Sequence, residues 1–246
     1  MAPLLAIAFA ASQPDEPPPR VLALVRREGG ADSDSAPPAA ALTAAVQYAQ
    51  ANGITIGAQA AWTDHPAVDI ITAAEDAGVE WILLGYHRNA KGGNTMGGVV
   101  REVFSKARPL AINVGVFIQG TDRPIERVFA AVDASTDGRA ALALAMRIAR
   151  HKQCKLRALL VSKRMTPHPE DDLIDLTKDA YEEMGSLFHS DVLTEHSLHQ
   201  LFRQSPGRLL IVGKKFADEV GLPLDEIPDG DRCVIVVQGT EPAEPA

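Results

Sequence analysis

Short apolar runs of strand length alternate with segments of helical period along this chain, and the alternation occurs twice. In the first half the runs are RVLALV from Arg20, ITIGAQAAW at 54–62, WILLG at 81–85 and LAINVGVFI at 110–118. Helical patterns separate them, at 2–12, at about 37–52, from Asp64 to Gly78, and from Val99 to Ala107. Asp64 is the expected cap of the third helix, Pro66 sits in its early turn and Gly78 ends it; Pro109 closes the fourth. Strands that are apolar throughout, rather than alternating, are covered on both faces. With helices as crossovers they predict an α/β fold built on a parallel sheet.

The second half repeats the rhythm. RVFAAVD from Arg127, a helix through ALALAMRIAR, LRALLVS, a helix across DDLIDLTKDAYEEMG, a strand near LFHSDVLT, a helix from His196, RLLIVG and CVIVVQG follow in order. The expected organisation is two tandem doubly wound domains, 1–120 and 121–240, with a tail at 241–246 and the boundary in QGTDRP (119–124). One asymmetry stands out. The second half opens on a strand, whereas the first opens directly on the helix at Pro3. Two expectations follow: preceding residues of a longer protein supply that strand, or the first sheet is one strand short.

Composition narrows the function. A chain of 246 residues with 46% hydrophobic and 23% charged side chains can bury a substantial core. Its formal net charge of -8, with no cluster of Lys and Arg, argues against nucleic acid as a partner. The two cysteines, Cys154 and Cys233, have neither disulfide-framework nor zinc spacing, which fits a reducing compartment. MAPLLAIAFAAS lacks the basic start of a signal peptide and reads as a helix with a buried face. No run reaches transmembrane length, so no direct membrane insertion by this chain is expected.

WILLGYHRNAKGGNTMGGVVREVF, residues 81–104, carries the chemistry. Gly85 ends a strand, and Gly97 and Gly98 open a helix whose Val99 and Val100 begin an apolar face. Backbone N–H groups bared by glycine at a helix's positive end form an anion site, and the carboxyl ends of parallel strands are where such sheets bind ligands. His87, Arg88 and Lys91 can add positive charge. The competing reading is a tight turn followed by two core valines.

The same residues resemble the universal stress protein family, whose nucleotide-binding members place Gly, two residues, Gly, nine residues, Gly and then Ser or Thr after the fourth strand. Here the series is Gly85, two residues, Arg88, nine residues, Gly98 and Val99. The spacing is kept, but a cation replaces one glycine and valines replace the hydroxyls. LLGYHRNAKGGNTMGGVVREV is similar to the variant loop of stress-protein-like modules that follow the membrane part of monovalent cation/proton antiporters. The resemblance implies two tandem Rossmann-like domains on the cytoplasmic side. It implies a non-enzymatic regulatory or assembly module, whose partner is the parent transporter's membrane domain or a second copy. The ligand class implied is ATP, ADP, AMP, a cyclic dinucleotide or another small anion. Alternatives are a purely structural dimerisation module, a free-standing universal stress protein and a weak nucleotide hydrolase.

AAVDASTDGRAALALAMRIA resembles the family's first strand and helix, and Asp133 matches the acidic residue near the adenine edge. Its alternative is structural: capping the next helix or bracing the turn, in competition with Thr136 and Asp137. In the second half Gly213 is followed by Lys214, Lys215 and Phe216 with no Gly-Gly pair, and Pro223 and Pro228 disfavour a long helix. Neither half therefore holds a complete family site. His189, His196 and His199 with Glu195 suggest metal ligands but fit surface roles better. There is no GxSxG motif and no defensible carboxylate pair, so no catalytic residue is assigned. PEDDLIDLTKDAYEE reads as an amphipathic helix burying Leu173, Leu176, Ala180 and Met184, and Trp62 and Trp81 as core.

Overall fold

A computed structural model describes residues 2–13, 16–26, 40–86, 97–121, 123–161, 169–193, 208–222, 227 and 232–240. In the first half α1 (Ala2–Ala11), β1 (Arg20–Arg26), α2 (Ala40–Ala51), β2 (Gly57–Thr63), α3 (Pro66–Ala77), β3 (Trp81–Gly85), α4 (Gly98–Ala107) and β4 (Asn113–Ile118) alternate as the sequence pattern predicts. The second half runs β5 (Arg127–Val132), α5 (Thr136–Lys152), β6 (Lys155–Val161), α6 (Pro169–Met184), β7 (Phe188–Leu193), β8 (Arg208–Gly213), the single-turn α7 (Lys214–Glu219) and β9 (Arg232–Gln238). The helix expected from His196 lies outside the described residues.

Seven strands form one sheet in the order β3-β4-β9-β8-β5-β6-β7, while β1 and β2 pair with each other in a separate two-stranded sheet. Every neighbouring pair is parallel except β4 and β9, which run antiparallel in the register Val114 with Gln238 to Ile118 with Val234. The last strands of the two halves thus meet edge to edge and close each other's open side. Further ties cross the junction. The Gln238 amide donates to the Phe104 carbonyl at 2.7 Å, and the Thr240 N–H donates to Asn113 Oδ1 at 3.1 Å. Arg147 on α5 reaches Glu16 at 2.9 Å and Glu80 at 3.2 Å.

The central strands of the second half are apolar on both faces because both faces are covered. Val128, Ala130, Leu209, Ile211 and Ile235 pack with Leu142, Ile148 and Ile7 in one cluster; Phe129, Ala131, Leu210, Val212 and Val236 pack with Phe216 and Ala217 in another. Adjacent residues of one strand point to opposite layers. Each fully buried Leu, Ile or Val contributes about 2 kcal/mol of transfer free energy. Helix α1 is apolar all round, and its surroundings explain this: Ile7 and Ala10 join the α5 cluster while Leu5 packs with Ala45 and Ala49 of α2.

Two expectations need correction. Asp64 does not cap α3: His65 occupies the cap position with no side-chain bond, Pro66 being the first helical residue and Gly78 the left-handed end. Pro109 closes α4 as expected, the α-helix ending at Ala107 and passing into a 3-10 turn, Arg108–Leu110. WILLG is not a buried strand, since only Ile82 of its five residues is buried. The cause is topological, for β3 pairs with β4 alone and ends the large sheet. Trp62 and Trp81 are half-buried, and α6 buries Ala180 and Met184 with Leu176 partly covered; the side chain of Leu173 lies outside the described residues. Among the described residues no helix is long and apolar enough to cross a membrane, and no cluster has the makings of a metal site.

Candidate functional site

One end of the glycine segment lies at the carboxyl end of a strand and the other at the start of a helix. Gly85 is the last residue of β3, and the next N–H, that of Tyr86, donates to the Phe117 carbonyl at 2.9 Å and so continues the β3–β4 ladder. His87, Arg88 and Lys91 lie outside the described residues. The chain returns at Gly97, which caps α4 with φ -51° and ψ 158° and no side-chain bond, and Gly98 is the first helical residue. The first N–H satisfied within the helix is that of Arg101, donated to the Gly97 carbonyl at 3.3 Å. The N–H groups of Gly98, Val99 and Val100 precede that bond and have no acceptor within the helix.

The glycine at 98 is not demanded by its surroundings. Its φ is not positive, it is exposed, and a Cβ placed there meets no atom within 4 Å. What glycine supplies at this position is bare backbone at the positive end of a helix. Val99 and Val100 point elsewhere: Val100 is buried and Val99 half-buried against Val103, Phe104 and Ile71. The valines are core residues, and only their backbone faces the helix mouth.

The corresponding place in the second half is closed. No residue separates β8 from its helix: Gly213 ends the strand and itself caps α7. The Asp137 carboxylate, in the first turn of α5, accepts the Lys215 N–H at 2.9 Å through one oxygen and the Gly239 N–H at 2.9 Å through the other. A side-chain anion therefore sits on the amino end of α7. The packing around it is close. A Cβ on Gly239 would lie 2.3 Å from the Thr136 carbonyl oxygen, and one on Gly138 2.3 Å from Asp133 Oδ1.

Asp133 is buried and committed to the turn between β5 and α5. Its Oδ1 accepts from the Ser135 N–H at 3.2 Å and from the Ser135 hydroxyl, and Ser135 Oγ in turn accepts the Gly138 N–H at 3.1 Å. The cap of α5 is thus Ser135, and neither Thr136 nor Asp137 takes that place. Asp133 braces the cap, the structural alternative weighed from the sequence. The role of Asp137 in bridging three strand ends escaped sequence reasoning. Its signal was present in the missing loop after Gly213, which leaves a helix mouth to be satisfied from elsewhere.

Other reactive groups are quiet. Burial pushes the Cys154 thiol up, the reverse of an activated nucleophile. His189 is exposed and lies 3.5 Å from Asp191; His196, His199 and Glu195 are outside the described residues.

No protein-family model matches the chain, and no curated protein does. Solved structures do. A universal stress protein from Archaeoglobus fulgidus superposes with a TM-score of 0.53 at 22% identity, over 79% of this chain and 73% of that one. The chain has the universal stress protein fold. The cytoplasmic domain of a prokaryotic cation chloride cotransporter superposes with a TM-score of 0.57 at 13% identity, over 91% of this chain and 86% of that one.

Proposed function

We propose that this chain is a non-enzymatic module, a tandem of two stress-protein-like units divided near residues 119–124, that regulates or assembles a monovalent-cation transporter at the cytoplasmic face of a membrane. Its similarity in fold to the cytoplasmic domain of a cation chloride cotransporter supports the transporter setting. The transporter's membrane part is its partner. The ligand is an adenine nucleotide, a cyclic dinucleotide or another small anion, taken at the loop from Gly85 to Gly98 with His87, Arg88 and Lys91 supplying charge. The observation that carries this reading is the contrast at the two helix mouths: α4 presents unsatisfied N–H groups behind an exposed glycine, while α7 is occupied by Asp137. A ligand regulates only by binding one conformation more tightly than another.

Calorimetry in the presence of ATP, ADP, AMP and cyclic dinucleotides tests it. A ligand at a hundred times its Kd stabilises the native state by about 2.7 kcal/mol, and about 1 kcal/mol moves the Tm of a chain of this size by roughly 2–4 °C. The expected result is a shift with one of these anions that Gly98→Trp abolishes without lowering the Tm of the free protein. Absence of any shift favours the rival reading, a purely structural pairing module. The occupied mouth of the second half already fits that role.

A further inference from the structure

Thr63 ends β2 with a hydroxyl that nothing answers. The residue is 3% exposed, and its Oγ1 has no hydrogen-bond partner among the described residues. A buried polar atom left alone is rare, and it marks either a cost to stability or the place of a bound group. A second buried donor lies four residues on. Pro66 opens α3 without an N–H, and the N–H groups of Val68 and Asp69 both donate to the His65 carbonyl, at 3.0 and 3.1 Å. That leaves Ala67. It is 1% exposed, His65 at the cap position makes no side-chain bond, and among the described residues nothing accepts the Ala67 N–H.

Strand register decides where the hydroxyl points. Val21 of β1 packs against Leu5, Ala45 and Ala49, which belong to the layer of α1 and α2. Its register partner is Ala58, so Ala58, Ala60 and Trp62 share that face, and Gln59, Ala61 and Thr63 take the other. The other face is the side of α3, which packs against β1 and α4 in a separate cluster from α1 and α2. Thr63 Oγ1 and the Ala67 N–H thus share one side of β2, at its carboxyl end and at the positive end of a 12-residue helix. The α4 mouth is the neighbour: Ala67 in the first turn of α3 and Val99 and Val100 in the first turn of α4 join one cluster.

We propose that Thr63 and the first turn of α3 form a second oxyanion subsite beside the α4 mouth, taking a phosphate-type group. Thr63 supplies a hydroxyl that can both donate and accept, Ala67 a backbone donor, and α3 the positive end of its dipole. Asp64, exposed before the helix, and Asp69, in its first turn, oppose a fully ionised group. They favour one that keeps a proton, which Thr63 Oγ1 can accept. The inference rests on the function proposed above for its second contact: a ligand with two anionic groups reaches both mouths. Packed helices lie about 8–10 Å apart, a span that two linked phosphate groups with a hydrogen bond at each end can cross. The ligand class narrows from any small anion to compounds that carry a diphosphate.

Amide NMR titration of the 246-residue chain with inorganic diphosphate tests the subsite. Thr63→Val removes the hydroxyl and Thr63→Ser keeps it. The expected result is a shift of the Ala67 amide and of Gly98 to Val100 in the unaltered chain and in Thr63→Ser. In Thr63→Val the Ala67 shift is lost and the Kd rises about tenfold, as for one hydrogen bond to a charged group. The Tm of free Thr63→Val does not fall, because the lost hydroxyl had no partner. Shifts confined to Gly98–Val100, or an unchanged Kd in Thr63→Val, overturn the subsite and leave the α4 reading standing. Shifts at Ala67 that persist in Gly98→Trp and vanish in Thr63→Val keep the subsite and remove α4 as its companion. A Tm lowered in Thr63→Val but not in Thr63→Ser means that the fold itself answers the hydroxyl, and overturns the subsite. So does the absence of shifts at both mouths, and the nucleotide calorimetry then decides the α4 reading by itself.

Discussion

The two halves of this molecule solve the same two problems in opposite ways. After its fourth strand the first half inserts residues 86–97 before α4 begins, and leaves that helix mouth under an exposed Gly98. The second half inserts none, and satisfies its mouth with Asp137. The strands differ as well: β5 is paired on both sides, whereas among the described residues β1–β2 and β3–β4 belong to separate sheets. The second half of the chain thus answers its polar ends internally, while in the first, among the described residues, the α4 mouth has no acceptor within its helix and β1 and β3 each pair on one side. Unanswered groups are where a ligand gains free energy by arriving.

The largest expected effect comes from methyl groups added to the two kinds of glycine. A Cβ on Gly239 collides with backbone, the carbonyl of Thr136 at 2.3 Å, and neither partner is the end of a flexible side chain. Gly239→Ala is expected to cost about 3 kcal/mol, the upper range for overpacking. Gly98→Ala meets nothing within 4 Å and removes glycine from a helix. It is expected to stabilise by up to about 0.5 kcal/mol. Urea denaturation reads both. Similar losses for the two variants break the distinction between a closed and an open helix mouth.

Asp137 sharpens that distinction chemically. Replacing it with Ala strands the N–H groups of Lys215 and Gly239, and a loss of about 2 kcal/mol is expected for two bonds to a charged acceptor that are partly open to water. The variant also frees two N–H donors at the amino end of α7. Inorganic phosphate or sulfate is expected to raise the Tm of Asp137→Ala more than that of the unaltered chain. Equal shifts in the two proteins mean that the carboxylate is not standing in for an anion.

The order and type of the described elements were legible because strands covered on both faces leave unbroken apolar runs. Burial of WILLG was misjudged for the same reason that the pattern is readable. Apolar runs report the faces of a strand, not its edges, and β3 loses its cover at an edge. Antiparallel pairing of β4 with β9 left no trace in either strand's composition, since NVGVFI and RCVIVVQ suit either direction. At the candidate site the commitment of Asp133 to Ser135, two residues on, is a local turn contact of the kind weighed from the sequence, whereas that of Asp137 to the N–H groups of Lys215 and Gly239 spans 78 and 102 residues of chain, which no local pattern encodes.

The smallest effect separates the outer strand pairs. In the second half Arg157 of β6 donates to Asp191 of β7, and this hydrogen bond holds the Asp191 carboxyl below its ordinary value, with the Arg157 charge and His189 adding to it and desolvation opposing. In the first half the matching pair β1–β2 sets Ala23 beside Ala60 and Leu24 beside Ala61, with no charge at those positions. A carboxyl whose folded pKa is lowered contributes stability above its unfolded pKa of 3.8, and that contribution disappears as the pH falls through the lower folded value. Asp191→Asn is therefore expected to cost less than about 1 kcal/mol at neutral pH, the pair being partly exposed, and the difference from the unaltered chain should vanish in acid. Exchange of the β6–β7 amides should quicken in the variant at neutral pH while that of β1–β2 stays unchanged. A change in β1–β2 of the same size means that the two outer pairs open together, and that the sheet break does not insulate one half from the other.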